Sequence, residues 1–171
     1  FRSFVTDTFG RYFANSLFIA TVVTIGNVVL GSMSGYAFAR FEFKGKKLLF
    51  ASVMALMMVP HQVVMIPLYR MMVAFDWINT FWALIIPGLL APFAIFLMRQ
   101  YIKALPADME DAARIDGAGE LYIFFRIVLP LCKPVITVLA IYTFLGSWNA
   151  FLYPFLFTSL PEMRTLPVGL A

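Results

Sequence analysis

The sequence predicts an all-α fold, a polytopic bundle of membrane-spanning helices, on three observations. Hydrophobic residues make up 62% of the 171 residues and charged residues 13%, where a soluble domain carries roughly 25% charged. The mean hydropathy is +0.87, which implies more apolar surface than a soluble domain of this length can bury. The charged residues fall between long apolar runs and not within them, as topology signals do.

Four stretches, 12–39, 48–69, 77–98 and 134–161, contain no Asp, Glu, Lys or Arg. The shortest, at about 22 residues, reaches about 33 Å as a helix, enough for a hydrocarbon core about 30 Å thick. A helix also satisfies its own backbone groups in lipid. The expectation is one transmembrane domain over 1–171, with spans at about 12–39, 48–72, 77–98 and 134–158. A long loop at about 99–133 joins the last two.

Orientation follows from the basic residues. Nine of the thirteen lie in two connections: Arg40, Lys44, Lys46 and Lys47 in the first, and Arg99, Lys103, Arg114, Arg126 and Lys133 in the third. That side is read as cytoplasmic. Arg2, Arg11, Arg70 and Arg164, the turn at Asp76 and both chain ends then face outward. Integral subunits usually start and end inside, so this orientation implies one further span before Phe1 and one after Ala171. The chain opens on Phe1, not Met, with no signal peptide at its start.

Individual spans carry local instructions. Gly31-x-x-x-Gly35 in the first allows close helix approach, the expected use being bundle packing. Pro60 and Pro67 in the second each remove a backbone donor and bend the helix. His61 and Gln62 sit beside that bend, where a lone histidine is expected to cap a freed carbonyl or face a wet cavity. In the last span, Tyr142, Trp148 and Asn149 offer aromatic and amide groups suited to a sugar, and Tyr153 fits an interfacial aromatic belt.

The third connection far exceeds the roughly 2–8 residues that link antiparallel helices, and it holds five of the nine acidic residues. Leu105-Pro106 opens it, with Pro106 placed for a first helical turn. Asp108, Glu110 and Asp111 follow at the positive end of the helix dipole, then the helix formers Ala112 and Ala113. Asp116-Gly117 ends this helix, glycine being the residue that takes a left-handed conformation cheaply. A second helix is expected over about 120–128, with Leu121, Phe124, Phe125 and Val128 at helical spacing. Pro130 and Pro134 break the chain before the last span. A small alanine surface with acidic flanks suits a cleft in another protein. An amphipathic helix lying on lipid headgroups would be basic instead.

Several functions are excluded. Cys132 is the only cysteine and His61 the only histidine, so neither an internal disulfide nor a multi-histidine metal site is expected. The basic residues are not pooled as nucleic-acid binding requires. Lys44-Gly45-Lys46-Lys47 lacks the spacing of a phosphate loop, and Gly117-Ala118-Gly119 follows a helix and lacks a third glycine. No nucleophile pair is placed around His61. No enzyme activity and no bound cofactor are therefore expected of this chain. A channel or ion-coupled secondary transporter is the alternative class, but it calls for intramembrane carboxylates or arginines, which the four stretches lack.

The run Asp111-Ala112-Ala113, three residues, Gly117, nine residues, Ile127-x-Leu129-Pro130 resembles the EAA motif of binding-protein-dependent ABC importer permeases, with Asp111 where the motif carries Glu. Asn15-Ser16-Leu17, Tyr36-Ala37-Phe38-Ala39-Arg40, Pro60 with Pro67-Leu68-Tyr69, Trp148-Asn149 and the tail Arg164-Thr165-Leu166-Pro167-Val168-Gly169-Leu170 are similar to the carbohydrate branch, close to the second permease of maltose-type importers. Ala150 stands where Glu often follows Trp-Asn.

The resemblance implies a type I importer domain in a bacterial or archaeal plasma membrane. Its EAA loop would form a coupling helix, and Asp111, Ala112, Ala113, Gly117, Ile127, Leu129 and Pro130 would belong to the ATPase-docking site. Trp148, Asn149 and Tyr142 would line the substrate pathway. The implied partners are a cytoplasmic ATPase dimer that binds ATP and magnesium, a second permease, an extracytoplasmic solute-binding protein and the lipid bilayer.

Overall fold

The computed structural model describes residues 2–171, with side chains from Thr8 onward. Phe1 and the side chain of Arg2, counted above for topology, lie outside the described residues. All regular structure among the described residues is helical. The helices are α1 Arg2–Arg40, α2 Lys46–Met58, α3 Met65–Ala74, α4 Phe81–Ile85, α5 Pro92–Ala104, α6 Asp108–Ile115, α7 Glu120–Ile123, α8 Leu129–Leu131, α9 Lys133–Trp148, α10 Leu152–Phe157 and α11 Leu166–Gly169.

Two stretches, Thr8–Arg40 and Phe81–Ala104, are long and apolar enough to cross a membrane. A third qualifies if Glu120–Leu131 and Lys133–Trp148, which meet at 79°, are taken as one broken span. The boundaries differ from the sequence expectation in physically readable ways. The expected second span, 48–72, is interrupted between Met58 and Met65, where Pro60 withholds a donor. Tyr153 donates its hydroxyl to the freed His61 carbonyl at 3.0 Å. The third starts at Phe81, passes through a 3-10 turn at Ile86–Gly88 and runs on to Ala104, beyond the expected 98. Pro92 is the first residue of α5, a position that needs no donor. The fourth, expected over 134–158, stops at Trp148 and resumes at Leu152.

The chain divides into two compact units. The first comprises the described residues up to Ile25, with Val59–Leu89 and Tyr142–Ala171, the second Gly26–Met58 and Leu90–Ile141. In the first, Ile19, Val23, Met72, Ala83, Leu84, Ile85 and Phe157 form the core. Its C-terminal tail is strapped to α1: Asn15 Nδ2 donates to the Glu162 and Arg164 carbonyls at 2.9 and 3.0 Å, and the Leu166 N–H donates to Ser16 Oγ at 2.8 Å. Asn79, at φ +60°, accepts the Ser159 and Leu160 N–H groups at 2.6 and 3.0 Å.

In the second unit the glycine spacing does what it predicts. A Cβ on Gly31 would lie 2.7 Å from Ala94 Cβ, and one on Gly35 would lie 2.6 Å from Met98 Cβ and 2.8 Å from the Arg99 backbone nitrogen. Helices α1 and α5 are thus packed backbone to backbone. Asn27 Oδ1 accepts the Ala91 N–H at the start of α5, at 2.8 Å. The core joins α1 and α5 to the long connection and α9 through Tyr36, Met98, Ile102, Ile123, Phe124, Val128, Cys132 and Leu139.

Candidate coupling loop

Local sequence accounts for each bend of the loop. Leu105 is extended, at φ −76° and ψ 140°, as a residue before proline must be. Pro106 consequently lies before α6 and not in its first turn, and Ala107 takes the N-cap position. Helix α6 ends as the Asp116-Gly117 signal predicts: Gly117 has φ +83°, its N–H bonds the Arg114 carbonyl at 3.0 Å, and the Ala118 N–H bonds the Ala113 carbonyl at 2.9 Å. These two bonds form a Schellman motif. A Cβ on Gly117 would meet nothing within 4 Å, so the requirement for glycine is conformational, not steric. Helix α7 passes into a π-helical turn over Phe124–Val128, which ends two residues before Pro130.

A charged network ties the loop to the end of α1. The Arg40 Nε donates to Glu110 Oε1 and Oε2 at 2.9 and 3.1 Å. Its Nη2 lies 2.7 Å from Oε1 and donates to the Leu105 carbonyl at 2.9 Å. The Glu110 side chain is only 3% exposed and that of Arg40 13%, so both charges are out of water and each needs the other. One turn on, Arg114 donates to Asp111 Oδ1 and Glu120 Oε1, each at 2.7 Å. The Tyr36 hydroxyl donates to Glu120 Oε2 at 2.8 Å. The Arg114 hydrogen bond holds the Glu120 carboxyl below the usual carboxylate range. Beside this network is a cavity of about 580 Å³ bordered by Phe41, Ala107, Asp111 and Arg114.

The two alanines of the motif face different ways. Ala113 is half-buried against the unit's own core, whereas Ala112 is exposed. Met109, 57% exposed, and Ile115, 87% exposed, stand three residues to either side of Ala112 and so share its face. This apolar stripe was not read from the sequence, although the spacing 109–112–115 was there to find it. Asp111 is exposed and paired to Arg114. Ile127 and Leu129 pack against the core cluster and Pro130 is exposed.

The substrate-pathway candidates lie elsewhere, in the first unit, at the break after α9. Trp148 is half-buried, stacked 5.9 Å from Phe144 and edge-on 5.4 Å from Phe13. Asn149 Nδ2 donates to the Leu145 carbonyl at 2.9 Å, and Tyr142 is 62% exposed. Among the described residues no group of three His, Cys, Asp or Glu side chains is placed to hold a metal ion.

Residues 27–169 match the family described as "Binding-protein-dependent transport system inner membrane component", a match that takes in both the glycine-packed helix pair and the whole loop. The chain belongs to this family. Among curated relatives of this binding-protein-dependent component is the arabinooligosaccharides transport system permease protein AraQ of Halalkalibacterium halodurans. It is 42% identical over 160 residues, covering 94% of this chain and 57% of that protein. The trehalose/maltose transport system permease protein MalG of Thermococcus litoralis is 35% identical over 165 residues, covering 95% of this chain and 59% of that protein. The chain thus spans somewhat over half the length of these relatives. A solved bacterial ABC transporter involved in import of the acidic polysaccharide alginate shares the fold, with a TM-score of 0.86 at 23% identity over 94% of this chain and 56% of that one. In this family member, the Arg40–Glu110 and Tyr36–Glu120 contacts were not legible beforehand, because their partners lie 70 and 84 residues apart.

Proposed function

We propose that the chain is a permease subunit of an ATP-driven importer and forms part of the pathway for a sugar or related solute delivered by an extracytoplasmic binding protein. A second permease and a cytoplasmic ATPase dimer complete the assembly, with ATP and magnesium held by the ATPase. The single observation that carries this reading is α6: its inner side is anchored by Glu110 on Arg40, and its outer side presents the apolar stripe Met109, Ala112 and Ile115. A cytoplasmic loop ordered from within and apolar on its outer face is built to enter a groove in another protein. Asp111 and Gly117 shape this docking element, and Ala113, Ile127 and Leu129 seat it on the subunit.

Four membrane passages accommodate the helices, three of them interrupted: α1, α2 with α3, α4 with α5, and α9 with α10. Breaks within a passage free backbone groups that are tolerated only beside protein or water. The interruption at 149–151 supports a role in meeting a polar solute for Trp148 and Asn149, with Tyr142 on the same helix as Trp148. The sugar assignment is supported by the relatives' names.

The test is co-purification and uptake. In the full-length subunit, Ile115→Asp should leave membrane insertion intact, lose the ATPase on purification and abolish solute uptake. Gly117→Val should weaken both, since a β-branched residue at positive φ costs about 1 kcal/mol or more. Normal ATPase retention and uptake by Ile115→Asp would show that this stripe is not the docking face.

A further inference from the structure

Helices α1, α2 and α5 border a cavity of about 1030 Å³ in the second unit. Its walls are apolar, including Phe38, Phe50, Met54 and Met58, and one end carries Lys46, Lys47, Arg99 and Lys103. The only carboxylate on the lining is Glu42, which pairs with Lys46 at 2.8 Å. Among the described residues Lys47, Arg99 and Lys103 have no ion-pair partner. Arg99 is nonetheless held in place: its guanidinium lies 3.9 Å from the Phe50 ring centroid, and its Nε donates to the Phe38 carbonyl at 3.3 Å. Helix α2 has no buried residue along its 13 residues, a length of about 20 Å. Its far end, Met58, is 84% exposed.

We propose that this groove is a binding site for an anionic phospholipid. The headgroup phosphate sits among Lys47, Arg99 and Lys103, and an acyl chain runs along α2 past Phe50 and Met54 towards Met58. The charge pattern selects this occupant. A further apolar span of protein laid in the groove would cover the wall but leave three cations unmatched. A zwitterionic lipid would bring its own cation to a site that already has an excess. Only an anionic lipid supplies negative charge at one end and about 20 Å of hydrocarbon at the other. Arg99, stacked on Phe50, is a preformed phosphate donor.

The experiment is native mass spectrometry of the purified assembly containing the full-length subunit, with phosphatidylglycerol and phosphatidylcholine offered at equal concentration. The wild type should retain phosphatidylglycerol preferentially. Lys47→Gln with Lys103→Gln, two exposed positions with no structural ties, should weaken that retention roughly fivefold per cation, or roughly 25-fold together. Lys133→Gln, which removes a basic residue outside the groove, should change nothing. Met54→Trp should block retention by filling the wall. Four results would each overturn the proposal: equal retention of the two lipids, no loss in the double variant, displacement of phosphatidylglycerol by glycerol phosphate at equal concentration, or a photo-crosslinker at position 54 that captures protein only.

Discussion

Breaking the Arg40–Glu110 pair tests whether the loop is a rigid extension of α1. Replacing Arg40 by Gln deletes the bidentate contact to Glu110 and the bond to the Leu105 carbonyl. Glu110 would then remain 3% exposed, with Arg114 Nη2 at 3.8 Å as its nearest cation. Removing one partner of a buried pair costs about 3–5 kcal/mol, and the residual Arg114 contact argues for the lower end. About 3 kcal/mol shifts the docked-to-free ratio of the loop roughly a hundredfold. Hydrogen exchange on the purified assembly should therefore show α6 amides opening roughly a hundredfold more often, with α9 unchanged, and uptake should fall. Arg40→Met with Glu110→Met, which leaves no buried charge, should regain most of the protection. Unaltered α6 exchange in Arg40→Gln would refute the argument, because the loop would then be held by its apolar contacts alone.

Three further outcomes are expected. Gly35→Ala places a methyl against the α5 backbone and should cost about 1–3 kcal/mol, read as a lower Tm of the assembly; Gly146→Ala, whose Cβ meets nothing within 4 Å, should not destabilise. Glu120 has a depressed folded pKa, so the stability it lends is fully present above its ordinary value of 4.5 and is lost as pH falls through the lower folded value. Its side chain is 43% exposed, so the loss should stay under about 1 kcal/mol, seen as a shallower fall of Tm between about pH 6 and about pH 3 in Glu120→Gln than in wild type. Finally, cysteine introduced at Lys103 should resist an impermeant external thiol reagent while cysteine at Glu162 reacts, and external labelling at Lys103 would reverse the orientation.

Much of the architecture was legible because it depends on local chemistry. Uninterrupted apolar runs imply helices in lipid whatever their neighbours are, so α1 ends within one residue of the expected 39, although it begins at Arg2, ten residues before the expected start. Gly117 acts through its own φ, and the helix stop could be read from Asp116-Gly117 alone. Breaks were harder. Pro60 announced one, whereas the interruption at 149–151 has no proline before Pro154 and begins at Asn149, directly after Trp148, without a local breaker. Asn15-Ser16 and the 164–170 tail were visible as separate signatures, and their contact across about 150 residues was not.

The sequence by itself determined the fold class, the approximate positions of the apolar helices and the C-terminal stop of the loop helix, since period, length and turn chemistry are properties of neighbouring residues. Only the tertiary structure decided which side of that helix is free. Helix periodicity placed Glu110, Ala112 and Ala113 around one short cylinder but could not say which of them met a neighbour. That depended on Arg40, at the far end of a different helix, reaching Glu110 and withdrawing it from water. Once that pair is buried, geometry turns Met109, Ala112 and Ile115 outward, and the exposed face of the loop follows from a contact that no local pattern records.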